Sequence, residues 1–91
     1  MKYGICDLSV VPLRADAKDQ AEIVSQLLLG DLVEILKTAD NWILVRCLFD
    51  DYQGWMDTKQ ITALSQIEFD QLQSTPHVYI YTHLAKINRT G

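Results

Sequence analysis

The feature that most constrains the fold is a series of short alternating segments between Glu22 and Met56. Here β-branched, aromatic and leucine side chains alternate with polar ones, and small polar clusters separate the runs. A period of two is typical of strands that bury one face. Strands of about five to eight residues joined this tightly predict a small barrel or a sandwich.

The first strands of this series are Ile23–Leu28 and Leu32–Lys37, separated by the turn signal Gly30-Asp31. Val33 and Ile35 share one face of the second strand. A glycine next to an aspartate between two such strands favours a tight connection, so we expect these two strands to pair as a hairpin.

The next strand is predicted at Trp42–Phe49, after a turn at residues 39–41. Its alternating residues Ile43, Val45 and Cys47 are expected to face the core. An acidic turn at residues 50–51 leads to a further strand, residues 52–57, whose internal Gly54 indicates a bulge or a close approach of another backbone.

The N-terminal part is less regular. Leu8–Leu13 is predicted to be extended, and Pro12 within it suits a sheet edge or an irregular segment because proline lacks a backbone donor. Arg14–Gln20 is polar and without periodicity. We interpret it as a long loop that could form the lip of a ligand site.

A short helix is predicted after Ile61. Ser65 followed by Glu68 forms a capping box, and Ile67, Phe69 and Leu72 would give the helix one apolar side. Beyond Pro76, residues 77–85 return to strand composition, and the remaining residues are polar.

Composition excludes several classes of function. Hydrophobic residues make up 48% and charged residues 22% of the 91-residue chain, which fits one soluble folded domain. The net charge of −4 argues against a nucleic-acid partner. No apolar run is long enough for a bilayer, so no membrane partner is expected. The N-terminus does not read as a secretory signal. We expect a cytoplasmic location, or a periplasmic one if a leader has been removed.

The sequence offers little for catalysis. Cys6 and Cys47 lie in strand-like segments, where no helix dipole would activate a thiol, and we expect both to be buried and unbridged. His77 and His83 lie near the chain end, a poor place to organise a general base. No metal-binding motif or phosphate-cradling loop is present, so we expect neither a metal nor another cofactor.

Three pieces of the chain together resemble the bacterial SH3-like (SH3b) pattern. They are a Gly-Asp turn opening a strand at residues 30–36, a Trp-x-x-Val strand at residues 42–46 and a Gly-Trp-aliphatic strand at residues 51–56. Upstream, residues 3–6, 10–14 and 22–28 are similar to the N-terminal SH3-like domain of NlpC-type cell-wall cysteine peptidases of the dipeptidyl-peptidase VI type. This narrower resemblance extends roughly from Tyr3 to Ile61.

The resemblance implies a mainly β fold, a small SH3-like barrel with a short helix and a final strand near the C-terminus. The barrel core would span residues 3–62, the helix and turn residues 63–76, and the final strand with the start of a linker residues 77–91. Such domains precede a peptidase domain that carries the catalytic cysteine and histidines, so neither Cys6 nor Cys47 would be the nucleophile.

The resemblance also implies partners and contact residues. The partners would be the downstream cysteine peptidase domain and a cell-wall peptide with a free N-terminal L-alanine. The tyrosine two residues before the Gly-Trp pair contributes to substrate selection, and here it is Tyr52. An acidic residue before a Ser/Thr-Gln pair contributes in some relatives; here Val24 holds that place and the nearest acid is Glu22.

Physical chemistry leaves two interpretations of the aromatic side chains. Trp42, Tyr52 and Trp55 lie on or beside neighbouring strands, and such aromatics form either core or a ligand platform. We therefore predict a non-catalytic module that positions or selects a cell-wall peptide for an adjoining peptidase domain. The alternative is a freestanding peptide- or protein-binding SH3-like domain.

Overall fold

The computed structural model describes residues 2–73, so the predicted final strand at residues 77–91 lies outside the described part. The elements are β1 (Tyr3–Ile5), β2 (Val10–Arg14), β3 (Ile23–Leu28), β4 (Leu32–Ala39), β5 (Trp42–Cys47), β6 (Gln53–Asp57), a 3-10 turn (Thr58–Gln60), β7 (Thr62–Leu64) and α1 (Gln66–Gln73). Among these residues no helix has the length and apolarity to cross a membrane.

The strands of the described part form one seven-stranded antiparallel sheet in the order β3-β2-β6-β5-β4-β1-β7. Inner-face residues from both halves of the sheet pack into one cluster, which requires the sheet to curl around it. No ladder joins β3 to β7 among the described strands, so the curled sheet stays open. The predicted mainly β, SH3-like fold with a short helix is confirmed.

The inner face follows the period-two pattern of the sequence. In β5 the residues Ile43, Val45 and Cys47 are all buried, as predicted. Val11, Leu13 and Leu27 from β2 and β3 pack in the same cluster. Full burial of each such aliphatic side chain contributes about 1.5–3 kcal/mol, which makes this face the main source of stability.

A second apolar cluster lies on the other face of the sheet at its β1–β7 end. Helix α1 covers it with Phe69 and Leu72, which pack with Ile5 and Leu64. The ring of Tyr3 stacks on Phe69 with centroids 3.8 Å apart. The short helix therefore shields the outer face of β1, which would otherwise expose these apolar side chains.

The predicted capping box starts α1. The amide of Glu68 donates to Ser65 Oγ at 3.1 Å, and the amide of Ser65 donates to Glu68 Oε1 at 3.0 Å. The apolar side was only partly right, because Ile67 is 70% exposed while Phe69 and Leu72 are buried. Ile67 lies in the first turn of α1, and its side chain faces away from β1 and β7.

The predicted hairpin between β3 and β4 is wrong. The turn at Gly30-Asp31 exists, with the Asp31 amide donating to the Leu28 carbonyl at 3.0 Å. The strands on either side of it pair with different neighbours: β3 with β2, and β4 with β5 and β1. The turn therefore connects the edge strand β3 to β4, which lies four places away in the sheet order.

Other strand bounds also differ from the prediction. The strand β5 ends at Cys47 and residues 48–50 form a turn, so Phe49 is not in the strand. β1 and β7 were not predicted, and each is short, Tyr3–Ile5 and Thr62–Leu64. Three residues give too little alternation to identify a strand, and their pairing with each other stabilises both.

Pro12 lies in β2, which is not an edge strand as predicted, because β3 and β6 flank it. It is opposite Gln26 in β3, whereas the described ladder between β2 and β6 consists of one pair, Arg14 with Trp55. Proline is tolerated because the β6 side of β2 is unpaired at this position.

Gly54 in β6 confirms the predicted close approach. A Cβ atom at this position would lie 2.6 Å from Leu13 Cβ and 3.3 Å from the Arg14 carbonyl oxygen. The ladder between β5 and β6 keeps its register here, so there is no bulge. The glycine lets β2 cross β6 at the corner of the sheet.

Candidate functional site

The loop between β5 and β6 holds Tyr52 on the surface. The Cys47 amide donates to the Tyr52 carbonyl at 2.8 Å, and the Asp51 amide donates to the Cys47 carbonyl at 2.9 Å. The Tyr52 amide donates to Asp50 Oδ1 at 3.2 Å. The backbone is thus fixed, while Tyr52 is 59% exposed and the Asp50 carboxylate lies at its backbone amide.

Arg46 ties this loop to the sheet. Its guanidinium donates to Glu34, directly opposite on β4, with Nη2 2.9 Å from Oε1, and it also donates to Asp51. The hydrogen bonds to Glu34 and Asp51 raise the pKa of Arg46 above its ordinary value. Asp51 is therefore ion-paired with Arg46, whereas Asp50, which accepts from the Tyr52 amide, has no ion pair among the described residues.

The two tryptophans lie on the outer face of β5 and β6. Trp42 is opposite Asp57 and Trp55 is opposite Leu44, so the tryptophans are diagonal neighbours. Diagonal pairs are about 7–8 Å apart, within reach of large side chains. Both are half-buried. They therefore share one face of the β5–β6 ladder.

Trp42 also lines a groove on the sheet face, here called the face groove. Its lining residues are Pro12, Arg14, Asp19, Trp42, Asp57, Lys59 and Gln60, and its volume is about 320 Å³. Acidic and basic side chains both line it. This groove contains Asp19 of the long polar loop that the sequence suggested as a ligand lip.

Glu22 lies at the start of β3, away from the Tyr52 loop in sequence and in the sheet. Its side chain is exposed, and its carbonyl accepts from the Ala15 amide at 2.8 Å across the loop. The next residue, Ile23, is opposite Arg14, which is in turn opposite Trp55. Glu22 is therefore two strands away from Trp55.

The structure does not bring the four predicted contact residues into one cluster. Tyr52 and Trp42 lie at opposite ends of the β5–β6 ladder, a separation of about 17 Å along the strand at 3.3 Å per residue. Trp42 and Trp55 share a face, whereas Tyr52 belongs to the loop with Asp50 and Asp51.

A second groove was missed by the sequence analysis. It lies between the edge of β3 and the β5–β6 loop, here called the edge groove, with a volume of about 390 Å³. Its lining residues are Ser25, Gln26, Leu28, Leu29, Asp31, Phe49 and Asp50. Phe49 is 91% exposed. The sequence placed Phe49 at the end of a predicted strand, so its exposure was not expected. The acidic pair at residues 50–51 was the signal in the sequence that a turn is nearby.

The thiols are not arranged for nucleophilic chemistry. Cys6 and Cys47 are free and buried, and burial raises the pKa of each above its ordinary value. A raised pKa keeps a thiol protonated at neutral pH, and the thiolate is the reactive form. Within residues 2–73 no group of three His, Cys, Asp or Glu side chains could hold a metal ion.

Comparison with known families decides where this fold belongs. The family described as the bacterial dipeptidyl-peptidase SH3 domain matches residues 13–61. The chain belongs to this family. The matched range runs from the end of β2 to the 3-10 turn and includes Glu22, Trp42, Tyr52 and Trp55. A comparison with curated proteins gave no match.

Membership defines the general role of this SH3-like domain, which is that of a non-catalytic module. The elements outside the matched range, β1, β7 and α1, build the second apolar cluster. The two grooves and the Tyr52 loop lie within or directly beside the family core.

Proposed function

We propose that this SH3-like domain selects a short cell-wall peptide with a free amino terminus for an adjoining cysteine peptidase domain. Membership of the bacterial dipeptidyl-peptidase SH3 family over residues 13–61 supports this role. Dipeptidyl peptidases act from a free amino terminus, so an accessory domain that recognises an ammonium group fits the family description.

The observation that carries the proposal is the position of Tyr52. Tyr52 is exposed on a loop whose backbone is fixed by hydrogen bonds on both sides, and the Asp50 carboxylate accepts from the Tyr52 amide. A phenol oxygen can accept a hydrogen bond from an ammonium group, and a nearby carboxylate favours that charge. Tyr52 is the proposed contact, with Asp50 replacing the more distant Glu22 as the supporting acid.

The tryptophans have a secondary role in this proposal. Trp55 and Trp42 form an apolar surface on the outer face of the same two strands. A half-buried aromatic surface suits packing against a second domain. We assign them to the contact with the peptidase domain rather than to the peptide.

The test is Tyr52→Phe in the full-length gene product that carries this domain. Loss of one hydrogen bond to a charged group, about 1.5–3 kcal/mol, should lower kcat/KM for a free L-Ala-γ-D-Glu-diaminopimelate peptide roughly ten- to a hundredfold. The N-acetylated peptide lacks the ammonium group, so its kcat/KM should change little and the preference for the free peptide should shrink.

Tyr3→Phe is the matched control. It also removes a phenol hydroxyl, but from a ring of β1 that stacks on Phe69 of α1. It should leave the preference unchanged. If Tyr52→Phe lowers the melting temperature but keeps the preference for free over acetylated peptide, Tyr52 is a packing residue and the proposal is wrong.

The face groove favours a second candidate, a freestanding peptide-binding SH3-like domain. Trp42 and Pro12 provide apolar contacts there, and Asp19, Asp57, Arg14 and Lys59 provide both charges. The reading frame after Gly91 in the parent gene separates the two: a cysteine peptidase domain there supports the first candidate, and its absence supports the second.

A further inference from the structure

Among residues 2–73, strand β3 is an unprotected edge of the sheet. It pairs with β2 on one side and is the last of the described strands in the sheet order. From Ile23 to Leu28 it contains no charge and no proline, and Ile23, Val24 and Leu28 are exposed. Natural edge strands usually carry charges, prolines or bulges that prevent pairing with another chain. In β3 the described feature of this kind is the register shift at the start of the strand, opposite residues 13–14.

The backbone of β3 leaves its middle open. The Leu28 amide donates to Asp31 Oδ2 at 2.8 Å, and the Leu28 carbonyl accepts from the Asp31 amide at 3.0 Å, so Asp31 occupies the edge at Leu28. The backbone groups of Leu28 therefore point away from β2. Successive residues of a strand direct their amide and carbonyl to opposite sides, so Gln26, two residues before Leu28, also points these groups to the open edge. Gln26 lies opposite Pro12, which has no amide to offer it.

The edge groove runs beside this open backbone. It is lined by Ser25 and Gln26, neighbours whose side chains lie on opposite faces, so the groove must lie at the strand edge. Phe49 forms the far wall, with 91% of its side chain exposed. A large apolar side chain exposed to this degree beside a groove is a common mark of a binding surface.

The charges around the edge groove indicate which kind of ligand it would bind. Asp31 and Asp50 line one end of the edge groove, Glu22 precedes β3 at the other end, and no described Lys or Arg lines the groove. A second copy paired antiparallel about Gln26 would bring Glu22 of one copy beside Asp31 of the other, a like-charge contact. A peptide with an apolar centre and a basic residue meets the same surface with complementary charge.

We propose that β3 binds an extended polypeptide segment as an added strand. The segment pairs with the backbone at Gln26, places an apolar side chain against Leu28 and Phe49, and directs a Lys or Arg to Asp31 and Asp50. This mode of recognition takes affinity from the main chain and specificity from alternate side chains. It shares Asp50 with the proposed selection of cell-wall peptides, but that selection depends on the phenol of Tyr52, which does not line the edge groove.

The test uses the 91-residue chain and the synthetic peptide acetyl-Thr-Val-Thr-Leu-Lys-amide. Two-dimensional NMR of the labelled protein should show saturable shifts at residues 25–29 and 49–50. N-methylation of one alternate set of peptide amides should weaken binding tenfold or more, whereas methylation of the other set should have a smaller effect, because only one set faces β3. Replacing Lys by Glu in the peptide should weaken binding about tenfold or more.

Phe49→Ser tests the groove wall, and Ile67→Ser is its control, since both remove an exposed apolar side chain. Phe49→Ser should weaken binding about tenfold, while Ile67→Ser and Tyr52→Phe should leave it unchanged. Equal effects of the two N-methylated sets, shifts confined to the face groove, or saturation only by self-association of the protein would each overturn the proposal. A loss of binding in Tyr52→Phe would also overturn it, because the peptide would then occupy the site of the proposed function.

Discussion

Cys6 and Cys47 show how burial determines the chemistry of single residues in this domain. Both thiols are almost fully buried, and Cys6 Sγ donates to the Leu8 carbonyl at 3.2 Å. Desolvation is the largest cause that raises the pKa of each, and it outweighs the backbone hydrogen bonds that lower it. The thiols thus stabilise the fold as protonated, apolar groups.

We expect these thiols to make the fold sensitive to alkaline pH. The folded pKa of each lies above that of the unfolded chain, so the unfolded chain releases these protons first as pH rises. Their contribution is fully present below the ordinary thiol pKa of about 8.5 and is lost as pH rises through the folded pKa. Urea midpoints at pH 7.5 and 9.5 should therefore differ more for the wild type than for the Cys6→Ala, Cys47→Ala double variant. An equal fall in both proteins would assign the alkaline loss to other groups.

Helix α1 illustrates the element scale, because its stability depends on its first turn as well as on packing. The reciprocal hydrogen bonds of Ser65 and Glu68 satisfy two amides that have no partner within the helix. With eight residues, the helix is too short to be stable in isolation.

Removal of the cap should therefore be measurable in the whole domain. Ser65→Ala is expected to lower the free energy of unfolding by about 1 kcal/mol, within the usual 0.5–2 kcal/mol for such a residue. Ser9→Ala, at an exposed bend, is the control and should change stability by less than about 0.5 kcal/mol. Urea unfolding followed by circular dichroism gives both values. Equal effects of the two changes would show that α1 depends on its packing alone.

At the scale of the whole molecule, the two apolar clusters share strands. β4 contributes Val33 to the inner cluster and Leu32 to the cluster under α1, and β1 lies between β4 and β7. A sheet that supports a core on each face should unfold as one unit, as small domains of this size usually do.

Phe69→Ala tests this cooperation. The change removes a buried ring that stacks on Tyr3 and should lower the free energy of unfolding by about 3–5 kcal/mol. Trp42 and Trp55 report on β5 and β6 by fluorescence, far from α1, and circular dichroism reports on the whole chain. Both midpoints should fall together. A fluorescence midpoint that stays at the wild-type value would show that α1 and the β1–β7 end unfold separately.

The sequence by itself determined the strands between residues 22 and 57, the inward face of β5 and the start of α1. These features depend on neighbours in the chain: period-two alternation, the Ser65–Glu68 spacing and the glycine at residue 54. The family resemblance likewise came from local motifs. Tyr52 could be placed on a turn because two acidic residues precede it.

Only the tertiary structure decided which strands pair and what remains exposed. The Gly30-Asp31 turn looked like a hairpin, yet β3 pairs with the preceding strand β2, and β4 pairs with the following strand β5 and with β1. Local turn chemistry marks a change of direction and does not determine which strands pair. Ile67 and Phe49 are exposed because no element within residues 2–73 covers them, a fact that no local pattern encodes. The edge groove exists for the same reason: its walls are β3 and the β5–β6 loop, which meet only when the sheet curls.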